Sequence, residues 1–358
     1  MKRWITAGVI AFMVPLYAAH AAEAVSLQSR LDRVFGPWTK GNVPGCAVGV
    51  TENGRWLARR GFGLANIERR VPIEPNTVFY AASVSKQFTA AAMLRLIDQG
   101  KAALDDDIRR HVPELPAYSP PITIRNLMHH TSGIPDFLGL LVRAGTLHDA
   151  HSPDEIVGML ANQRTTFPAG RVFAYSNSNY FLLGEIVRRA SGDSLRNFAR
   201  VTLFEPLGMT DTRFFDDAAE VVPRYAIGYT GEGRGTYQAV KTLYTQVGAG
   251  GLLTTIHDLG KWVRIFDDPD AIAQSPRLGQ RLLERGALLD GSAIDYAFGL
   301  VREQEHGLDL ASHLGSFPGF ISSFSWIPSK RMGIFVLCNS SEMPIQAIGS
   351  NMLRESIR

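Results

Sequence analysis

The 358-residue sequence predicts an α+β fold, an α/β sandwich in which one antiparallel sheet is assembled from both ends of the chain and flanked by helices. Three observations lead there. Strand-like runs cluster early, the middle is rich in helix signals, and strand-like runs return near the end. With 45% hydrophobic residues the chain can bury a large core, and a cleft between the layers is the natural place for a site.

The first residues combine a basic start, Met1-Lys2-Arg3, with an apolar run from Trp4 to Ala19 interrupted by Pro15, and then Ala19-His20-Ala21 as a small-x-small cleavage site. This pattern predicts a secretory signal peptide over residues 1–21, and a secreted, periplasmic mature protein over 22–358. The run is too short and too broken by proline to make a membrane span. A helix follows from Gln28 to Phe35. Strands are expected near Gly45 to Glu52 and Arg55 to Ala65, joined by Asn53-Gly54, a pair suited to a two-residue hairpin turn. The next helix is expected from Ser83 towards Asp98, with Gly100 as its stop.

In the middle of the chain, Ser152-Pro153-Asp154-Glu155 reads as a capping box with proline in the first turn. Further helices are expected from Asn179 to Ala190 before Gly192, from Leu195 to Phe204 ending at Pro206 and Gly208, and from Thr255 through Phe266. The C-terminal third returns to strands at Leu308 to Ser316, Phe320 to Ile327 and Met332 to Asn339, the last two joined by Pro328-Ser329-Lys330-Arg331. A helix from Pro344 to Ile357 closes the chain.

Composition excludes several function classes. Loss of Lys2 and Arg3 with the signal leaves 35 basic against 34 acidic residues, interspersed, so no nucleic-acid partner is implied. Gly248-Ala249-Gly250-Gly251 lacks the spacing of a dinucleotide loop and the lysine of a phosphate loop, so it reads as a tight backbone passage near the cleft. No cofactor is indicated. His129, His130, His148 and His151 raise the idea of a metal enzyme, but no carboxylate stands at a ligand spacing from them. Cys46 and Cys338 both sit in strand-like runs. Two buried free thiols are the favoured reading unless those runs prove to be neighbours in one sheet.

The chemistry begins at Ser83-Val84-Ser85-Lys86. Residues i and i+3 share a helix face, so the Lys86 amine can reach the Ser83 hydroxyl. A serine hydroxyl is unreactive at neutral pH without a base and donors for the oxyanion, and a free lysine, with a pKa of about 10.4, is mostly protonated there. Desolvation would lower that value, and a phenol would share the proton. Tyr175-Ser176-Asn177 offers the phenol, with a carboxamide two residues on that can contact substrate. His313-Leu314-Gly315-Ser316 offers a strand along which substrate can lie. Gly315 permits close approach, the Ser316 and Ser83 amides are candidate oxyanion donors, and His313 adds polarity or a proton near the leaving group.

In this order, Ser83-Val84-Ser85-Lys86, Tyr175-Ser176-Asn177 and His313-Leu314-Gly315 resemble the motif set of the serine β-lactamase and penicillin-binding protein family, in its class C-like branch. Leu127-Met128-His129-His130-Thr131-Ser132-Gly133-Ile134, Glu205-Pro206-Leu207-Gly208-Met209 and Gly250-Gly251-Leu252 are also similar to segments of that family. The resemblance implies an acylated nucleophile at Ser83, a proton-handling pair in Lys86 and Tyr175, and substrate contacts from Asn177, His313, Gly315 and Ser316. It also implies an all-helical subdomain, at about 100–290, and a sheet whose first and last strands are neighbours, which would let Cys46 face Cys338. Where β-lactamases of this branch carry lysine and threonine, this chain has His313 and Leu314, a change that weakens carboxylate recognition. The expected activity is therefore hydrolysis of esters or amides of the D-Ala-peptide, β-lactam or ester class, peptidoglycan-derived substrates included. The competing expectation is a penicillin-binding or cell-wall-binding protein that acylates with little turnover.

Overall fold

The computed structural model describes residues 27–39, 41–147, 149–231, 236–240 and 244–357. The proposed signal peptide and His148 lie outside them. The centre is a six-stranded antiparallel sheet made of β1 (Cys46–Glu52), β2 (Arg55–Phe62), β3 (Val301–Glu305), β4 (Leu308–Phe317), β5 (Phe320–Ile327) and β6 (Met332–Cys338). Its spatial order is β3-β4-β5-β6-β1-β2, so the two ends of the chain meet at the β6–β1 pair. Asn53 and Gly54 both take positive φ (50° and 73°), as the mirror-image turn between β1 and β2 requires.

Every residue of β6 is buried, because both faces of the sheet are covered. On one face, Cys46, Val48, Val50, Ile334 and Val336 pack against Leu31 and Phe35 of α1 (27–35) and against Met352 and Leu353 of α4 (Ile345–Ile357). On the other, Ala47, Phe335 and Leu337 join the larger core around α2 (Lys86–Asp98), which packs on α3 (Asn177–Ser191). Alternation along β1 and β6 thus separates two cores with one sheet between them.

Cys46 and Cys338 stand directly opposite in the β1–β6 register and form a disulfide. The reading of two free thiols is corrected. Sequence separation hid the pairing, because the two cysteines stand 292 positions apart in the chain while their Cα atoms are 4.0 Å apart.

Between the two halves of the sheet, helices such as Phe137–Ala144, Pro153–Ala161 and Ile256–Trp262 are accompanied by short strand pairs. Ser152 and Glu155 form the expected capping box, Thr255 caps its helix through the Asp258 amide, and Gly192 ends α3 in the left-handed conformation. The stretch after Leu195 differs from expectation. It passes through a π-helical turn at Arg200–Phe204 and continues across Pro206 to Leu207 before Gly208 ends it. Pro206 falls in the first turn of the short helix Glu205–Leu207, where its missing N–H is tolerated. Strand β3 also escaped the sequence reading, since Val-Arg-Glu-Gln-Glu is a polar edge strand without a buried alternating face.

Phe79–Tyr80 pairs with Leu252–Thr254, which also pairs with Arg213–Phe214. This small sheet brings the chain entering α2 beside the glycine-rich passage, where the Ala81 amide donates to the Leu252 carbonyl at 2.8 Å.

Candidate active site

The α-helix that carries the site begins three residues later than expected. Ala82–Ser85 is a 3-10 turn and α2 starts at Lys86. In a 3-10 turn side chains at i and i+3 eclipse, which stacks Lys86 over Ser83 with Nζ 3.1 Å from Oγ. Ala82 enters this turn at φ 47°, a left-handed conformation that costs a non-glycine residue about 1–2 kcal/mol. The turn is held by the second serine, Ser85, whose Oγ donates to the Ala82 carbonyl at 2.5 Å and accepts from the Leu252 amide at 3.1 Å.

Lys86 is fully buried. Its ammonium donates to Ser83 Oγ, to Asn177 Oδ1 at 2.9 Å and to the Ala249 carbonyl at 2.7 Å. Burial pushes its pKa from 10.5 down to about 7, partly opposed by the carboxylate of Asp136. Near neutrality a large fraction of the amine is therefore unprotonated and able to accept a proton. The Tyr175 ring lies 4.8 Å from Nζ and keeps 41% of its surface open to the cavity mouth, while its hydroxyl end is enclosed beside Ser83. Burial raises the phenol above its ordinary value, although the hydrogen bond with Ser83 pulls the other way. A tyrosinate is thus disfavoured, and the phenol can pass a proton only as an intermediary.

Asn177 opens α3, where its side chain meets both partners at once. Its backbone amide and its Nδ2 both donate to Asp136 Oδ2, at 2.6 and 2.9 Å, which turns Oδ1 towards Lys86. Asp136 also caps Phe137–Ala144 through the amides of Leu138 and Gly139. Strand β4 closes the other side. A Cβ on Gly315 would fall 2.6 Å from the Ala81 carbonyl and 2.2 Å from Ser322 Oγ, so only glycine lets β4 lie against the turn that bears Ser83. Phe317 and Phe320 flank a two-residue turn, so the hydrogen-bonded pairs alternate and the Ser316 amide faces the outer edge of β4. Strand β3 covers that edge only as far as Ser312, opposite Val301.

Ser83, Tyr175, Asn177, His313, Gly315 and Ser316 all line one cavity of about 910 Å³. Ser83 and Asn177 also border a smaller hollow of about 60 Å³, walled by Leu138, Tyr244 and Phe317. His313 Nδ1 lies 2.6 Å from the Leu314 carbonyl, which assigns the proton to Nδ1, and Nε2 accepts from the Tyr296 hydroxyl at 3.2 Å. Burial, reinforced by the Lys86 charge, lowers its pKa to about 3. A neutral ring with its single N–H committed to Leu314 does not supply a proton to a leaving group, so that part of the sequence expectation is replaced by a polar wall.

Several participants lay outside the sequence expectation. Asp136 had a signal, an acidic residue just before the apolar start of a helix, whereas the Ala249 carbonyl had none because it is backbone. His130 is fully buried among the rings of Tyr175, Tyr180 and Tyr296 at centroid distances of 4.4–5.0 Å, with Nδ1 accepting from the Ser176 amide and Asn179 Nδ2. His129 faces the Tyr296 carbonyl and His151 the Thr146 carbonyl, so these three rings serve separate local contacts. Among the described residues no group of three or more His, Cys, Asp or Glu side chains is placed to hold a metal ion.

A family model described as Beta-lactamase matches residues 28–353, nearly the whole described chain. The chain belongs to the Beta-lactamase family. Within the family it is similar to D-aminopeptidase of Gluconobacter oxydans, 30% identical over 83% of this chain and 56% of the relative. It is likewise 30% identical to penicillin-binding protein 4* of Bacillus subtilis, over 82% of this chain and 67% of that one. It thus spans little more than half the length of the first of these relatives. The structure of the octameric penicillin-binding protein homologue from Pyrococcus abyssi superposes with a TM-score of 0.80 at 26% identity, covering 94% of this chain and 77% of the other. No helix among the described residues is long and apolar enough to cross a membrane.

Proposed function

We propose that this chain is an exported serine hydrolase that works through an acyl-enzyme on Ser83, cleaving esters or amides. The carrying observation is the buried Lys86 amine, with a pKa of about 7, set 3.1 Å from Ser83 Oγ. In acylation, neutral Lys86 accepts the Ser83 proton as Oγ bonds to the substrate carbonyl carbon, and the Ser83 and Ser316 amides hold the oxyanion. The proton passes through Tyr175 to the leaving group as the bond to it breaks. Water then reverses the sequence and frees Ser83. The names of the relatives, a D-aminopeptidase and a penicillin-binding protein, support amide or ester substrates of this kind. The disulfide supports an oxidising compartment such as the periplasm.

The site favours substrates without a carboxylate. His313 is neutral, Leu314 is apolar and 37% exposed, and no cationic side chain is among the described residues lining the cavity. The test is a fluorophosphonate probe on wild type and Ser83→Ala, followed by a panel of a p-nitrophenyl ester, a D-Ala-D-Ala peptide and nitrocefin. Labelling and turnover are expected in wild type and absent from the Ala variant, with the ester fastest. Unchanged labelling of Ser83→Ala would end the assignment. A stoichiometric burst without turnover on every substrate would favour the penicillin-binding reading, and nitrocefin turnover matching the ester would overturn the substrate preference.

A further inference from the structure

The two cavities that meet at Ser83 divide the substrate between them. Tyr175 lines the large cavity and is absent from the wall of the small one. If Tyr175 hands the proton to the leaving group, that group departs into the large cavity, and the 60 Å³ hollow between Leu138, Tyr244 and Phe317 holds the acyl side. This assignment rests on the hydrolase reading above.

Glu303, on the edge strand β3, also lines the large cavity. It is exposed, and its carboxylate accepts a hydrogen bond from Ser312 Oγ. That partner is a hydroxyl, so the carboxylate's charge is not balanced by it. Lys86 is beneath the floor and His313 is neutral, which leaves Glu303 as the one charged side chain among the described lining residues. The wall of the cavity is largely apolar, with Phe173, Val301, Leu314, Pro344, Ile345 and Ala347 among its residues. Gly315 and Ser312 are three positions, about 10 Å, apart along β4 and point to opposite faces of the sheet, so the cavity reaches Glu303 by passing round the uncovered edge of β4. A largely apolar cavity whose wall carries a single anion suits a leaving group bearing a cation.

We propose that Glu303 is a cation-recognising subsite for the leaving group, selecting esters or amides whose alcohol or amine portion carries an ammonium at least about 10 Å from the scissile bond. A leaving group ending in a carboxylate is repelled by the same residue. Because the carboxylate is exposed, the preference is modest and declines with salt.

The experiment compares 8-ammoniooctyl acetate with 8-acetamidooctyl acetate, reading acetate release by wild type, Glu303→Gln and Glu303→Lys. Wild type should prefer the ammonium ester by about threefold to tenfold in kcat/KM at low salt, with the difference in KM. Glu303→Gln should abolish the preference while leaving the acetamido ester unchanged, and Glu303→Lys should invert it. As a readout independent of turnover, octylammonium should slow fluorophosphonate labelling of wild type more than of Glu303→Gln. An ammonium preference or protection that survives in both variants overturns the subsite. Loss of all labelling and all acetate release in wild type would instead sink the hydrolase reading, and the subsite with it.

Discussion

Lys86 gathers the electrostatics of the site into one titration. Its pKa of about 7 means that kcat/KM for an uncharged ester should rise with pH through that value and level off above it, as the neutral amine becomes available. The Asp136 carboxylate raises the Lys86 value, so Asp136→Asn should move the inflection to lower pH, and it should also free the Asn177 carboxamide to turn away. A pH profile that merely drops in amplitude would show Asp136 to be structural alone. Stability carries the opposite face of the same shift. The folded pKa lies below the unfolded value of 10.5, so the unfolded chain binds the extra proton between pH 7 and 10.5 and stability rises with pH across that window. The penalty is fully present below pH 7. Wild type should gain about 2 kcal/mol of unfolding free energy between pH 7 and 9 from this group, a gain missing in Lys86→Met, as denaturant titration at the two pH values would measure.

At the scale of elements, the site depends on three segments meeting at close quarters: the strained turn at Ala82–Ser85, the start of α3 and the open edge of β4. Gly315 is the contact at which this closeness is greatest. Gly315→Ala places a methyl group where the Ala81 carbonyl and Ser322 Oγ already stand, so β4 must move outward and carry the Ser316 amide with it. We expect fluorophosphonate labelling to slow by about a hundredfold, the effect of removing one oxyanion donor, with the far-ultraviolet circular dichroism unchanged. Combining it with Ser322→Gly should recover part of the rate by making room. Labelling at the wild-type rate would show that the β4 edge does not supply the oxyanion donor.

For the whole molecule, the sheet is one continuous element built from segments nearly 300 residues apart, and the disulfide ties them at β1–β6, on the face of the smaller core under α1 and α4. Replacing both cysteines with alanine releases a very long loop in the unfolded chain. The expected loss is about 3–5 kcal/mol, seen as a lower midpoint in thermal or urea unfolding, with ester hydrolysis at room temperature retained because neither cysteine lines the cavity. Loss of activity in the folded variant would mean that the sheet transmits strain to β4.

The local rules of chain geometry were enough to read much of this from the residues. Asn53-Gly54 marked the hairpin, Ser152 and Gly192 marked helix ends, and the order of Ser83, Lys86, Tyr175, Asn177 and His313, through the family resemblance it carries, pointed to residues that line one cavity, with Lys86 buried beneath it. These signals are written in side chains and short spacings. Tertiary structure alone decided the rest. It joined Cys46 to Cys338, set the Ala249 carbonyl on Lys86, turned Asn177 with Asp136, neutralised His313 and brought Glu303 to the rim. Pairing across hundreds of residues, backbone acceptors and the loss of solvent around an amine have no local pattern, because each is a property of what packs alongside and not of the neighbours in sequence.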